Sequence, residues 1–141
     1  MSTKSRQLYL IGGLPGSGKT TYAEHLLDDS PARSFSIFEA DDFFLDANGN
    51  YTFRPELLHH AHEYCQKRTE RAMRESTELI IVANTFTRRW ERDVYLKLAQ
   101  RFMYDVKFEW IDSGLSDDEL AARNVHGVPA ETIGRMRMRV E

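Results

Sequence analysis

Four short apolar segments, separated by longer amphipathic ones, dominate the pattern of this chain. They are residues 7–11, 35–38, 79–83 and 106–111. Short apolar runs of this kind are typical of strands that are buried on both faces of a sheet. Because helical patterns lie between the runs, we predict an α/β fold. Its four strands should be mainly parallel, in the order 2-3-1-4, with helices on both faces.

The first two helices are indicated by apolar residues at helical spacing. Residues 19–27 predict the first, and the second begins at Pro55, since proline is favoured at the first helical position. The inward stripe of this second helix consists of Leu58, Ala61, Cys65, Thr69 and Ala72. Residues 43–53 contain the turn signal Asn48-Gly49-Asn50 and predict a loop or a small hairpin.

The second half of the chain carries signals for three further helices. Thr87 is the predicted N-cap of a helix that ends near Phe102. Its inward residues are Tyr95, Leu98, Ala99 and Phe102. Ser116 and Glu119 form a capping box and predict the start of a short helix, and Pro129 opens the last one.

Composition places the chain among ordinary globular proteins. Its 141 residues suit one domain, residues 1–141, with 41% hydrophobic and 29% charged residues. The single cysteine, Cys65, excludes an internal disulfide framework. No apolar run approaches the ~18–20 residues that span a bilayer, and the polar start from Met1 to Arg6 is unlike a signal peptide. We expect a cytoplasmic protein with no membrane contact.

The overall charge narrows the classes of partner. A net charge of −3 argues against a surface that coats nucleic acid without regard to sequence. It still allows contact with a short piece of nucleic acid, because a few arginines at one site suffice for that.

A glycine-rich segment carries the strongest chemical signal. It matches G-x-x-x-x-G-K-[ST] and comes directly after a strand, where it opens a helix. Its backbone N–H groups can surround phosphates, while Lys19 reaches the β- and γ-phosphates and the Thr20 hydroxyl binds Mg²⁺. We expect ATP and Mg²⁺ here, in a P-loop NTPase fold. The nucleotide-binding residues are Gly13, Leu14, Pro15, Gly16, Ser17, Gly18, Lys19, Thr20 and Thr21.

An acid pair follows the second strand. The carboxyl ends of parallel strands face one crevice, where Asp41 or Asp42 could accept a proton from an incoming hydroxyl. The third strand ends in Asn84-Thr85, with no aspartate. We therefore expect Mg²⁺ to be held by Thr20, phosphate oxygens, water and an outer-shell Asp41. The absence of an acid there speaks against a motor-type ATPase.

The arginines near the predicted crevice allow two interpretations, a role in binding phosphates or a solvated position at the surface. Arg123 lies in a segment, about residues 115–130, that could form a helical lid and stabilise charge on a transferring phosphoryl group. A solvated surface arginine is the alternative. Arg88 and Arg89, with Arg92, could bind a phosphodiester while Phe86 and Trp90 stack on a base. Alternatively, Trp90 packs in the core and these arginines are solvated.

Other polar residues on the second helix carry weaker signals. Three histidines, His59, His60 and His62, are more often surface and core residues than metal ligands. The basic residues Lys67, Arg68, Arg71 and Arg74 are interpreted as a solvated helix face.

Five motifs in order make the pattern specific. They are GLPGSGKTT at 13–21, EADDFF at 39–44, PELLHHAHEYC at 55–65, VANTFTRRWE at 82–91 and RNVHGVP at 123–129. With these, nearly the whole chain resembles the 5′-polynucleotide kinase domain of T-even phages. It resembles even more the short kinase domain of the Nedd-binding protein 2 group.

The resemblance implies a role for particular residues. Asp41 matches the general base, Arg123 the lid arginine on the nucleotide phosphates, and Asn84-Thr85 the polar pair on the crevice floor. One position departs from the phage pattern: Phe44 stands where an arginine holds the substrate's 3′-side phosphate. Phenylalanine can stack on a base but cannot bind phosphate.

The resemblance also implies the reaction. We expect transfer of the γ-phosphoryl group of ATP to a hydroxyl, with Lys19, Asp41 and Arg123 as catalytic residues. The acceptor is expected to be the 5′ end of DNA or RNA, held transiently, with no stable protein partner. Expected substrate-side residues are Asp42, Phe44, Asn84, Thr85, Arg88 and Arg89. A small-molecule kinase and a non-catalytic ATP-binding module are the alternatives.

Overall fold

Within the described residues, five α-helices and four strands follow one another, alternating as far as the last strand, after which two helices close the order. The computed structural model describes residues 5–141, so the start of the polar N-terminal segment, residues 1–4, lies outside the described residues. The strands are β1 (Gln7–Gly12), β2 (Phe35–Phe38), β3 (Leu79–Ala83) and β4 (Asp105–Trp110). The helices are α1 (Lys19–Asp28), α2 (Leu58–Arg74), α3 (Arg89–Phe102), α4 (Asp117–Arg123) and α5 (Ala130–Arg139).

The strands form one parallel sheet in the order β2-β3-β1-β4, which confirms the predicted order. β1 pairs with β3 from Gln7 opposite Leu79 to Ile11 opposite Ala83. Because all four strands run the same way, their carboxyl ends meet at one edge. The glycine-rich loop leaves β1 near the middle of this edge.

Alternate residues of the central strands supply two separate cores, as the two-residue period of a strand requires. Leu8 and Leu10 of β1 face the core that α2 and α3 cover. Ile11 of β1 and Ile81 of β3 face the opposite core, which contains Ala23 of α1. β3 is therefore apolar and buried at every position, because helices cover both faces of the sheet there.

Helix boundaries show where the sequence signals were imprecise. Pro55 opens a short 3₁₀ turn, Pro55–Leu57, rather than α2 itself, and Leu58 is 41% exposed instead of joining the inward stripe. Arg88, not Thr87, is the N-cap residue of α3, because Glu91 Oε1 accepts the Arg88 backbone N–H.

The capping box that predicts α4 is confirmed. The Ser116 hydroxyl accepts the Glu119 backbone N–H, and Glu119 Oε1 accepts the Ser116 N–H.

The segment between β2 and α2 combines a 3₁₀ turn with an open hairpin. The 3₁₀ turn, Ala40–Phe44, is named here the Asp41 turn. Beyond it, a single antiparallel bridge joins Leu45 to Tyr51, in agreement with the expected loop or small hairpin. Asp46 Oδ1 accepts the backbone N–H groups of Asn48 and Asn50 and so fixes the tip.

Two aromatic residues near the start of α3 differ sharply in exposure. Phe86 is 1% exposed and makes an edge-to-face contact with Tyr95 at 5.7 Å between ring centroids. It is a core residue and cannot stack on a base. Trp90 is 68% exposed, so the alternative that placed it in the core is wrong.

Within the described part of the chain, no helix is both long enough and apolar enough to cross a bilayer.

The two aromatic positions provide a paired stability prediction. We expect Phe86→Ala to lower the free energy of unfolding by about 3–5 kcal/mol, because it leaves a cavity in the core. Trp90→Ala should change it by less than about 0.5 kcal/mol, since the indole lies on the surface. Urea denaturation measures both, and equal losses would contradict the assignment of Phe86 to the core.

Candidate active site

The glycine-rich loop leads into α1 with backbone N–H groups that no side chain caps. Gly18 is the N-cap residue, it makes no side-chain cap hydrogen bond, and the first turn of α1 contains no acid. The positive end of the helix dipole therefore lacks a compensating protein carboxylate in its first turn, as an anion site requires.

Two glycines of the loop permit close packing. A Cβ on Gly13 would lie 2.5 Å from Ser17 Oγ and 3.2 Å from the Ile111 carbonyl oxygen, so a side chain there would require the Ser17 hydroxyl to shift. Gly16 has φ of +81°, and a Cβ on it would lie 2.6 Å from the Leu120 carbonyl oxygen. α4 therefore packs directly on the loop, and the conformation and the packing both favour glycine at position 16.

Lys19 lies inside the loop that it follows. Its Nζ donates hydrogen bonds to the carbonyl oxygens of Gly13 at 2.7 Å and Leu14 at 3.1 Å. Burial lowers the pKa of Lys19 to about 8, and the negative charges of Glu39 and Asp41 act in the opposite direction. Both acids follow β2, at the same edge of the sheet as the glycine-rich loop that precedes Lys19.

Asp41 is partly exposed and has two protein contacts at its carboxylate. The Tyr51 hydroxyl donates a hydrogen bond to Asp41 Oδ1 at 2.9 Å. On the other oxygen, His126 Nε2 lies 3.4 Å from Asp41 Oδ2, and the Asp41 side chain remains 39% exposed. Burial, followed by the hydrogen bond to Asp41, raises the pKa of Tyr51, so the phenol stays a donor.

Asp42, the second acid of the pair, has structural partners instead. Its Oδ2 accepts the Glu39 backbone N–H at 3.1 Å and forms an ion pair with Arg68 Nη1 at 3.1 Å. The Arg68 guanidinium also lies over the rings of Phe38 and Tyr64, at 4.7 and 5.1 Å from their centroids. The interpretation of Arg68 as part of a solvated helix face is therefore wrong, and the Asp42 carboxylate is engaged with groups of the protein itself.

Glu39 is an acid that sequence reasoning passed over. The Thr20 hydroxyl donates to Glu39 Oε1 at 3.4 Å, which places a carboxylate beside the predicted Mg²⁺ ligand. Burial, and then the neighbouring Asp42, raise the pKa of Glu39. Its position directly after β2, at the same edge as the loop, was the available signal. Thr20 and Glu39 together offer hydroxyl and carboxylate oxygens, which suit Mg²⁺.

Asn84 connects the ends of two strands. It is 7% exposed, and its Oδ1 accepts the Ala40 backbone N–H at 2.8 Å, immediately before Asp41. Asn84 therefore positions the Asp41 turn, and its amide is engaged within the protein rather than with substrate. Thr85 holds the glycine-rich loop, because its carbonyl oxygen accepts the Gly13 N–H at 3.3 Å.

Phe44 does not line the crevice as expected. It is 6% exposed, and its ring makes edge-to-face contacts with Phe43, Tyr51 and Phe53. Burial among these rings leaves no free face for a base, so the assignment of Phe44 to substrate binding is corrected to a core role.

The arginines after β3 occupy the start of α3. Arg88 Nη1 lies 3.8 Å from Glu141 Oε2, and the backbone N–H of Arg89 donates to Glu141 Oε1 at 3.0 Å. Arg92 lies over the Phe108 ring at 4.4 Å from its centroid. Arg88 and Arg89 thus remain at the surface near the crevice edge, whereas Arg92 packs against β4.

Arg123 is the last residue of α4 and is exposed. It has no hydrogen bond or ion pair with the residues that the structure describes. The next residue, Asn124, organises the turn that follows. Its Nδ2 donates to three carbonyl oxygens, and its Oδ1 accepts the N–H groups of His126 and Val128. The turn brings His126 to Asp41, an arrangement that sequence reasoning missed.

The histidines of α2 show no metal centre. His59 Nε2 pairs with Glu63 at 2.7 Å, four residues along the helix. Within residues 5–141, no group of three or more histidine, cysteine, aspartate or glutamate side chains is arranged to hold a metal ion.

A cavity of about 160 Å³ lies beside the glycine-rich loop. Leu14 and Ser17 of the loop form one wall, and Trp110, Asp112 and Arg137 contribute to the others. Neither Tyr51 nor His126, the two residues that contact the Asp41 carboxylate, lines this cavity.

The parallel sheet, the strand–loop–helix cradle and Lys19 define a P-loop NTPase fold. The family described as AAA domain, a P-loop kinase family, matches residues 8–141, and the chain belongs to this family.

Known proteins similar to this chain include kinases and a repair complex. NEDD4-binding protein 2 of Homo sapiens is 41% identical over 131 residues, which cover 92% of this chain and 7% of that protein. A chain of the Pnkp1/Rnl/Hen1 RNA repair complex aligns with a TM-score of 0.73 at 20% identity, covering 99% of this chain and 45% of that one.

A gluconokinase from Sinorhizobium meliloti 1021 aligns with a TM-score of 0.61 at 17% identity, covering 99% and 77%. Both structural similarities concern the fold. The chain spans a small part of the length of NEDD4-binding protein 2.

The link between Asn84 and the Asp41 turn yields a stability prediction. We expect Asn84→Ala to lower the free energy of unfolding by about 1–3 kcal/mol, because the Ala40 N–H loses its buried acceptor. Asn48→Ala, in the exposed hairpin tip, is the control and should change it by less than about 0.5 kcal/mol. Chemical denaturation measures both, and an unaltered Asn84→Ala protein would show that the hydrogen bond contributes nothing.

Proposed function

We propose that this chain is a kinase domain, residues 1–141, that transfers the γ-phosphoryl group of ATP to a hydroxyl. The acceptor we favour is the 5′-hydroxyl of a DNA or RNA end. The observation that carries the proposal is the placement of the glycine-rich loop with Lys19 and of the partly exposed Asp41 carboxylate at the same edge of the parallel sheet, where the Thr20 hydroxyl lies 3.4 Å from Oε1 of Glu39, two residues before Asp41. A phosphate-binding cation and a partly exposed carboxylate on opposite sides of one crevice are what in-line phosphoryl transfer requires.

The position of each residue around the crevice suggests its role in the reaction. Lys19 and the N–H groups of the loop hold the phosphates of ATP, and the added negative charge favours the protonated lysine. Thr20, with Glu39 beside it, would hold Mg²⁺, which supplies charge neutralisation at the phosphates. Asp41 accepts the proton of the acceptor hydroxyl and orients its oxygen. Arg123, free of ion pairs with the described residues, is suited to contact the phosphates from α4.

The choice of a nucleic-acid end is supported by relatives and by the surface around α3. The match to NEDD4-binding protein 2 and the fold shared with a chain of an RNA repair complex favour it. Arg88, Arg89 and the exposed Trp90 offer charge and a stacking surface near the crevice edge. Transient contact of this size is compatible with the net charge of −3. We propose a cytoplasmic location, as the free thiol of Cys65 allows.

A small-molecule kinase is the second candidate. The fold shared with a gluconokinase favours it, and so does Phe44, which is buried and provides no phosphate contact. A non-catalytic ATP-binding module is the third, and the exposed, oriented carboxylate of Asp41 argues against it.

Asp41 provides the test of the chemistry. We expect Asp41→Asn to lower the rate of phosphoryl transfer by roughly 10²–10⁴-fold, because the amide cannot accept the proton. Binding of ATP should stay close to normal, since Asp41 is not in the phosphate cradle. Transfer is measured with γ-labelled ATP and binding by calorimetry.

The neighbouring acid serves as the matched control for this substitution. Asp42→Asn should lower stability through the Arg68 ion pair while changing the transfer rate of folded protein less than about tenfold. Near-normal transfer by Asp41→Asn, with ATP binding intact, would show that Asp41 is not the base.

The acceptor can be identified by assaying phosphoryl transfer to a panel of candidate molecules. We expect labelled phosphate to pass to oligonucleotides with a 5′-hydroxyl, and the apparent affinity for them to fall steeply between about 50 and 200 mM salt. Nucleosides and neutral sugars are the comparison acceptors, and their use should depend little on salt. Transfer to a sugar alone would establish the small-molecule alternative, and ATP binding without any transfer would establish the non-catalytic one.

A further inference from the structure

One histidine touches the proposed base from a distant part of the chain. His126 belongs to the turn between α4 and α5, and its Nε2 lies 3.4 Å from Asp41 Oδ2. Its ring also lies against the Tyr51 ring, with 4.5 Å between centroids and an interplanar angle of 38°. Three segments that are far apart in sequence therefore converge on one carboxylate.

Tyr51 and His126 contact different oxygens of the Asp41 carboxylate. Tyr51 donates to Oδ1, and His126 faces Oδ2. Each oxygen thus has one neighbour that resists rotation of the carboxylate. With one remaining lone-pair direction on each oxygen, Asp41 can still accept a hydrogen bond from a substrate hydroxyl.

Hydrogen bonds of Asn124 hold the backbone of the turn, and the imidazole of His126 takes no part in them. The Asn124 side chain makes five hydrogen bonds around residues 120–128, two of them from the N–H groups of His126 and Val128. The histidine side chain is 30% exposed and is not part of this network. Removing the imidazole should therefore leave the turn folded.

The same short segment also carries Arg123. The arginine ends α4, and His126 follows three residues later, on the other side of Asn124. α4 itself is seated on the glycine-rich loop at Gly16 through the Leu120 carbonyl. The α4–α5 segment thus contacts both the glycine-rich loop and Asp41, and it also carries Arg123.

We infer that His126 is a positioning residue for Asp41, which couples the seating of the α4–α5 segment to the orientation of the base. This inference rests on the proposed function, because orientation of Asp41 matters only if Asp41 accepts the proton. His126 acts through Asp41 and Tyr51 and does not contact the phosphates of ATP.

The first test separates positioning from nucleotide binding. We expect His126→Ala to lower kcat at least about tenfold, because a misplaced base is inefficient. The KM for ATP should change less than about threefold. His126→Gln, whose amide nitrogen can reach the place of Nε2, should recover most of the loss. His25→Ala, an exposed histidine on α1, is the control and should behave as the wild type.

The second test is a double-mutant cycle with Asp41→Asn. If His126 works only through the base, His126→Ala should reduce transfer no further in the Asp41→Asn background. Equal losses in both backgrounds, a KM for ATP that rises with no change in kcat, or no effect of His126→Ala would each overturn the inference.

The contact can also be measured without catalysis. In urea unfolding of the same four proteins, the double variant should be less destabilised than the sum of the two single variants. If the losses in the free energy of unfolding are additive, the two side chains do not interact and the inference is wrong. If the wild-type protein transfers phosphate to no acceptor while the unfolding cycle shows coupling, the proposed function fails and the assigned contact stands.

Discussion

The hydrogen bond from the Ala40 N–H to Asn84 Oδ1 is the interaction on which the candidate site depends. It joins the carboxyl ends of β2 and β3 across a buried position, where water cannot replace a lost partner. Asp41 is the next residue after Ala40, so the same hydrogen bond also fixes the position of the Asp41 carboxylate. An amide suits the position better than an acid would, because a buried carboxylate would add charge next to Glu39 and Asp41 and raise the cost of burial.

The glycine-rich loop is fixed by packing as much as by its own turn geometry. Leu14 is buried with Leu120 and Ile133, so the loop, α4 and α5 share a small core. Gly16 allows the Leu120 carbonyl to approach closely. Movement of the α4–α5 segment therefore has to break or shift apolar contacts with the loop itself, which links the position of Arg123 and His126 to the phosphate cradle.

Sequence reasoning found what local patterns encode and missed what tertiary contacts decide. β2 and β3 were predicted to the residue because short, mainly apolar runs bounded by polar residues mark strands, and β3 is continuous and buried throughout. Phe44 and Phe86 were misjudged, and two alternatives were left open for Trp90, because an aromatic residue after a strand or before a helix carries no local sign of its burial. His126 and Tyr51 could not be assigned, since each meets Asp41 only after the chain folds.

The balance between nucleic-acid and small-molecule acceptors depends on where charge remains free. Asp42 and Arg68 neutralise each other, and Phe44 is buried, so the floor of the crevice offers little to a phosphodiester. Among the described residues, guanidinium groups without an ion pair lie instead at Arg89, at the start of α3, and at Arg123, at the end of α4. A long anionic acceptor can reach these arginines while its terminal hydroxyl meets Asp41, whereas a small sugar would need contacts on the floor. This geometry is the reason for favouring a nucleic-acid end.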